Sequence, residues 1–104
     1  MALTDPELDL LRELLEDDPT ADIYQQVGEE LVRRGEWAEA RDVLVGGLGG
    51  GPHAPSSQLL ARAAVELGDY SVALSALAKV DCAPGTEAGR LEILALERSG
   101  DAAA

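Results

Sequence analysis

The sequence predicts an all-α fold assembled from a repeated helical unit, and three observations carry that prediction. Aromatic residues are scarce: Phe is absent, and only Tyr24, Trp37 and Tyr70 occur among 104 residues. Leu, Ala and Val must then fill the interior, a composition suited to helices more than to strands. Three prolines (Pro19, Pro52, Pro84) and three glycines (Gly35, Gly68, Gly100) recur in step, the second interval of each series one position shorter than the first. Every proline therefore leads its glycine by the same distance, so the two markers keep one frame. Inside the first frame Tyr24, Val27, Gly28 and Leu31 stand at i, i+3, i+4 and i+7, one face of a helix.

Each element follows from local chemistry. In segment 1–18, Thr4 with Glu7 three residues later and Pro6 between them is a capping-box start. Leu8, Leu11, Leu14 and Leu15 then form an apolar stripe, and this helix is expected to cap the face of the first repeat. The first repeat, 19–52, pairs the Tyr24–Leu31 helix with a second helix that Trp37 opens and that Ala40 and Leu44 pack. Gly28 and, in the next repeat, Ala61 are small enough for a neighbouring backbone to come close. In "RDVLVGGLGGGPHAP" five glycines fall between Gly46 and Gly51, with only Leu48 interrupting. Because the Pro–Gly frame continues through this run without slack, it reads as a helix stop. Gly46 and Gly47 are expected to fray the helix early, since glycine costs about 1 kcal/mol relative to Ala in a helix. The second repeat, 53–84, carries Ser57, Leu60, Ala61 and Ala64, then Tyr70, Ala73 and Leu77. In segment 85–104 a helix is expected over 86–99. Gly89, Glu92, Ile93 and Leu96 stand in the repeat frame there, and Glu92 breaks its apolar rule. As a terminal cap, this helix would turn Arg90, Glu92, Glu97 and Arg98 to water. The stop at "SGDAAA", on the repeat's own turn motif, favours a portion of a longer array instead.

The recurring "RRGEWAEA", "ELGDYSVA" and "RSGDAAA", with Leu44 and Leu77 four residues behind Ala40 and Ala73, resemble the tetratricopeptide repeat family. The resemblance is close from residue 19 to about residue 84 and weaker after it. It implies a short right-handed superhelix of antiparallel helix pairs, a TPR-like α-solenoid whose first helices line a concave groove. Carried over residue by residue, the groove-facing candidates are Gln25, Glu29 and Val32, then Gln58, Arg62 and Val65, then Arg90, Leu94 and Glu97. The family's carboxylate clamp of Lys and Asn is missing, because Gln25, Glu29, Gln58 and Arg62 stand at the comparable places. A chaperone tail is therefore disfavoured, and a neutral or mixed-charge segment suits the groove better.

Several function classes are disfavoured by composition. A formal charge of −12 repels a phosphate backbone, so no nucleic-acid partner is expected. The charge is uneven: residues 1–42 hold 13 acids and 4 bases, residues 43–104 hold 7 and 4. That acidic half either solubilises the chain or attracts a basic partner. Cys82 is the only cysteine, so no internal disulfide forms. It reads as a small filler. No apolar run approaches a membrane span, and the N-terminus lacks signal-peptide features, so a cytoplasmic protein without membrane insertion is expected. The glycine run lacks the Lys-Ser/Thr pair and spacing of a phosphate loop. His53, the only histidine, is expected in an exposed loop, and Glu16 to Asp18 read as a solvated turn rather than a metal site. No cofactor and no catalysis are expected.

The function expected is that of a protein–protein interaction module or adaptor holding a peptide or helical segment of a partner in the groove. A self-assembling element that forms a homodimer is the alternative. There the last helix, with Leu91, Ile93, Leu94 and Leu96, would pair its apolar face, and Leu94 and Leu96 would carry the dimer.

Overall fold

The computed structural model describes residues 3–78, 80 and 85–103, with side chains as far as residue 98. Cys82 and Pro84, the thiol and the repeat marker singled out above, lie outside the described residues. Among those described, all regular structure is helical: α1 (Asp5–Asp17), α2 (Ile23–Arg33), α3 (Trp37–Leu48), α4 (Ala54–Leu67), α5 (Tyr70–Leu77) and α6 (Glu87–Ala103).

The start of α1 is the capping box read from the sequence. The Glu7 N–H donates to Thr4 Oγ1 at 3.4 Å, and the Thr4 N–H donates back to Glu7 Oε1 at 3.1 Å. Leu8 and Leu15 are buried and Leu11 is half-buried, but Leu14 is 49% exposed. Leu14 stands one turn after the exposed Leu10, on the outward side of the helix, so the stripe is narrower than four leucines.

Tyr24, Val27, Gly28 and Leu31 are all buried on α2, and their counterparts in the next repeat, Ser57, Leu60, Ala61 and Ala64, are all buried on α4. Both helices end the same way. Gly35 (φ +77) and Gly68 (φ +78) adopt the left-handed conformation open to glycine. The following N–H groups then reach back past the turn, Glu36 to the Leu31 carbonyl (2.9 Å) and Asp69 to the Ala64 carbonyl (2.8 Å). Trp37 and Tyr70 open the return helices directly afterwards.

Three sequence expectations change here. First, α3 does not fray at Gly46: it continues to Leu48, because the buried Tyr24 ring lies against Gly47. Glycine's poor helix propensity is offset by ring packing that no larger residue allows. Likewise, Gly28 admits the Leu44 side chain rather than a backbone, since a Cβ there would stand 2.5 Å from Leu44 Cδ2. Second, Gly100 does not end a helix, for α6 runs through it to Ala103. Ala102 stands two residues after Gly100, where Trp37 and Tyr70 follow Gly35 and Gly68, so an aromatic is replaced by the residue that best continues a helix. Third, α6 follows the repeat frame only at its start: Ala88, Gly89 and Ala95 are buried and Leu91, Glu92 and Leu94 half-buried, so Ala95 rather than Leu96 packs inside. Ile93 and Leu96, which that frame placed inside, are 55% and 54% exposed.

Consecutive helices pack against one another from α1 to α6. In addition α2 meets α4 and α4 meets α6, whereas α3 and α5 make no close backbone approach. The first helix of each pair thus forms one continuous layer. The whole extends 44 × 23 × 23 Å. One core cluster joins Leu8 and Leu15 to Tyr24, Val27, Leu31, Leu44, Leu60 and Leu77. A second, smaller one joins Ala64, Val65, Ala73 and Ala95.

Candidate functional site

The layer of α2, α4 and α6 carries an open groove of about 460 Å³ lined by Glu29, Ala54, Pro55, Gln58, Leu59, Arg62, Val80 and Glu87. Helical geometry explains the convergence. Glu29 and Arg62 occupy equivalent places in the two repeats, on α2 and α4, each directly after the small residue that lets its helix pack closely. Gln58 lies one turn before Arg62, so α4 offers an amide and a guanidinium side by side.

Arg62 is held on two sides. Its Nη1 stands 3.5 Å from Glu87 Oε1, and its Cζ lies 5.9 Å from the centre of the Trp37 ring. Both groups of the ion pair are about half exposed, so the pair contributes roughly 0–1 kcal/mol. The aromatic contact adds about 0.5–1 kcal/mol. The guanidinium is therefore positioned but not locked. Glu29 is exposed and has no cationic partner among the described residues. The groove thus sets two carboxylates against one guanidinium.

Of the nine groove candidates, Glu29, Gln58 and Arg62 come together. Gln25 is half-buried and lines a separate recess of about 250 Å³ with Tyr24, Gly47, Pro52 and His53. Val32 (8% exposed) and Val65 (3%) belong to the core, which corrects their assignment to the groove. Each stands one turn after a buried residue, Gly28 or Ala61, and so falls on the packed side of its helix. Leu94 is half-buried against the second core cluster and is not a free contact. Arg90 and Glu97 are exposed on α6 but do not line the groove. Glu87 opens α6 one turn before Arg90, the residue the repeat frame selects, and only the docking of α6 on α4 brings it to Arg62.

Two further polar groups were legible only in part. Glu30 is 3% exposed and receives Arg33 Nη2 and Arg34 Nε, each at 2.6 Å, and the Leu3 N–H at 3.1 Å. Arg34 also donates to the Leu3 carbonyl and to Asp5 Oδ1, both at 2.6 Å, so this cluster pins the N-terminal segment to α2. The Arg33 guanidinium and then that of Arg34 hold the Glu30 carboxyl down at about 2. The Glu-x-x-Arg-Arg spacing of residues 30–34 was its signal in the sequence. His53 is not a free loop residue: it is the N-cap of α4, with the Ser56 N–H donating to Nδ1 at 3.3 Å and Ser56 Oγ 2.7 Å from the same nitrogen.

Among the described residues no group of three or more His, Cys, Asp or Glu side chains is placed to hold a metal ion. No described helix is long and apolar enough to cross a membrane. Comparison with protein families, with curated proteins and with solved structures finds no match to this chain.

Proposed function

We propose that the chain is a short TPR-like α-solenoid of antiparallel helix pairs that works as a protein-interaction module, receiving an extended segment of a partner across α2, α4 and α6. The observation that carries this reading is the groove itself. Glu29, Gln58, Arg62 and Glu87 converge from three helices onto one strip floored by Pro55 and Leu59. A glutamine amide can both donate to and accept from a peptide backbone, while the charged groups choose side chains. With two carboxylates against one guanidinium, the groove suits a mixed segment bearing at least one cation. The resemblance to the tetratricopeptide pattern and the continuous layer of first helices support the same assignment.

A peptide-library selection on the intact chain tests it. Arg62→Glu, retaining wild-type helicity, should weaken the selected peptides about tenfold, a difference of about 1.4 kcal/mol. Equal affinity for Arg62→Glu and for Gln58→Ala would refute binding in the groove.

A second reading, homodimer formation through α6, rests on a different observation. Leu96 directly follows the buried Ala95 on α6, as Val65 follows the buried Ala64 on α4 and Val32 the buried Leu31 on α2. Both valines are buried while Leu96 and neighbouring Ile93 are more than half exposed. If a second copy covers this pair, light scattering across a dilution series gives a dimer that Leu96→Glu converts to monomer. A monomer at every concentration would dismiss it.

A further inference from the structure

A second cleft lies between α1 and α3 and shares no residue with the groove. It measures about 310 Å³ and is lined by Arg12, Leu15, Glu16, Pro19, Glu39, Asp42, Val43 and Gly46. The two helices make no close backbone approach there. Arg12 spans the gap instead, its Nε 2.6 Å from Glu39 Oε2 and its Nη1 3.0 Å from Asp9 Oδ1.

Gly46 is the residue that makes this cleft informative. Its neighbour Gly47 is required by the Tyr24 ring, but a Cβ at Gly46 would meet only Pro19 Cβ, at an ordinary 3.6 Å. Packing therefore does not demand a glycine at position 46, and helix propensity opposes one. What the missing side chain does is leave the cleft open.

The walls define what could fill it. Leu15, Pro19 and Val43 make an apolar lining. Around them stand Glu16, Glu39 and Asp42, against the single Arg12, whose charge Glu39 and Asp9 already occupy. Glu16 has no cationic partner among the described residues, and Asp42 has only its sequence neighbour Arg41, at 3.3 Å. The volume is at the bottom of the roughly 300–1,000 Å³ range of small-molecule sites, enough for one or two side chains.

We infer that the α1/α3 cleft is a docking site for a basic segment of a partner protein, which inserts an apolar side chain between Leu15, Pro19 and Val43 and sets an adjacent Lys or Arg against Glu16 and Asp42. The occupant follows from charge complementarity: an apolar slot lined by three carboxylates and one guanidinium rejects an acidic segment and gives a purely polar one no desolvation gain. The site stands whether or not the α2/α4/α6 groove binds anything.

The test uses the full chain and a short capped peptide with two Lys-Leu pairs, with Lys-Ser and Glu-Leu peptides of equal length as controls. Amide shifts in NMR titration are expected at Leu15, Val43 and Gly46 for the Lys-Leu peptide alone, with affinity falling as salt rises. Gly46→Leu should plug the cleft, raise the melting temperature and weaken binding at least tenfold. Glu16→Lys should weaken it while leaving helicity intact, and serves as the test if Gly46→Leu does not fold. The inference is overturned by shifts at Glu29, Gln58 and Arg62 instead, by shifts scattered over all acidic residues, by equal binding of the Lys-Ser peptide, or by no saturable binding.

Discussion

Adjacent glycines in one helix should respond oppositely to the same substitution. Gly46→Ala places a methyl 3.6 Å from Pro19 Cβ, a normal van der Waals contact, and replaces the second-worst helix former by the best. The gain is about 0.8–1 kcal/mol, which for a domain of this size raises the melting temperature by roughly 4–8 °C. Gly47→Ala gains the same propensity, but its Cβ would overlap Cγ, Cδ1 and Cδ2 of Tyr24, a side chain 3% exposed. The ring cannot swing into solvent without emptying its place in the core. Overpacking costs about 1–3 kcal/mol. With three ring atoms in the way the top of that range applies, leaving a net loss of about 2 kcal/mol. Thermal unfolding followed by far-ultraviolet circular dichroism separates the pair. Melting of Gly47→Ala at or above the wild-type temperature would refute the Tyr24–Gly47 packing. A drop for Gly46→Ala would show that the α1/α3 cleft is closed in solution.

Glu30 predicts a pH dependence with a definite sign. Its carboxyl is held at about 2 against an ordinary 4.5, so the unfolded chain binds the proton first, and the stability Glu30 contributes is present above pH 4.5 and lost as pH falls toward 2. The difference between wild type and Glu30→Gln should therefore be constant near neutrality and close over that window; a pH-independent difference would mean that the arginines do not engage the carboxylate. His53→Ala removes the cap on Ser56 and should destabilise by about 1 kcal/mol in urea unfolding, with Asn at the same position restoring most of it. Hydrogen exchange should open α6 before α2; uniform protection across both would contradict the unequal packing of the two helices.

The parts of the fold legible in the sequence were those fixed by neighbours in the chain. The Thr4–Glu7 capping box, the left-handed turns at Gly35 and Gly68, and the aromatics opening α3 and α5 all depend on contacts within a few residues. Periodicity also located Val27, Leu31, Leu44, Leu60 and Leu77 in the core. What stayed hidden depended on partners distant in sequence. The glycine penalty at position 47 is offset by Tyr24, on the preceding helix, so propensity alone placed the end of α3 too early. On α6 the frame holds at Gly89 but fails at Ile93 and Leu96, where the small Ala64 and Ala73 of the facing helices pack Ala95 instead. Val32 and Val65 show the same limit from the other side: an exposed groove position and a packed one differ by less than a helical turn. Only the docking of the next helix decides between them.

The helix pairs are packed to different standards, and this bears on the proposed groove. The leading part of the chain contributes Leu8, Val27, Leu31 and Leu44 among the largest fully buried side chains; α5 adds Leu77, and the described residues of α6 add none. The cluster holding α6 is Ala64, Val65, Ala73 and Ala95, edged by half-buried Tyr70, Val72, Leu74, Leu91 and Leu94. Each buried methylene is worth about 0.8 kcal/mol, so replacing a leucine by an alanine at a core position forgoes roughly 2 kcal/mol of burial. In a stack where each unit touches only its neighbours, such a deficit stays local rather than being shared. It falls on the helix that supplies Glu87 to the groove, opposite Glu29 on the well-packed α2. If the groove receives a segment as proposed, one firmly packed wall and one loosely packed wall would let it fit segments of differing width. On that proposal the ordering cost of binding would fall mainly on α6, where the half-exposed Arg62–Glu87 pair is weak enough to exchange for a partner's charge.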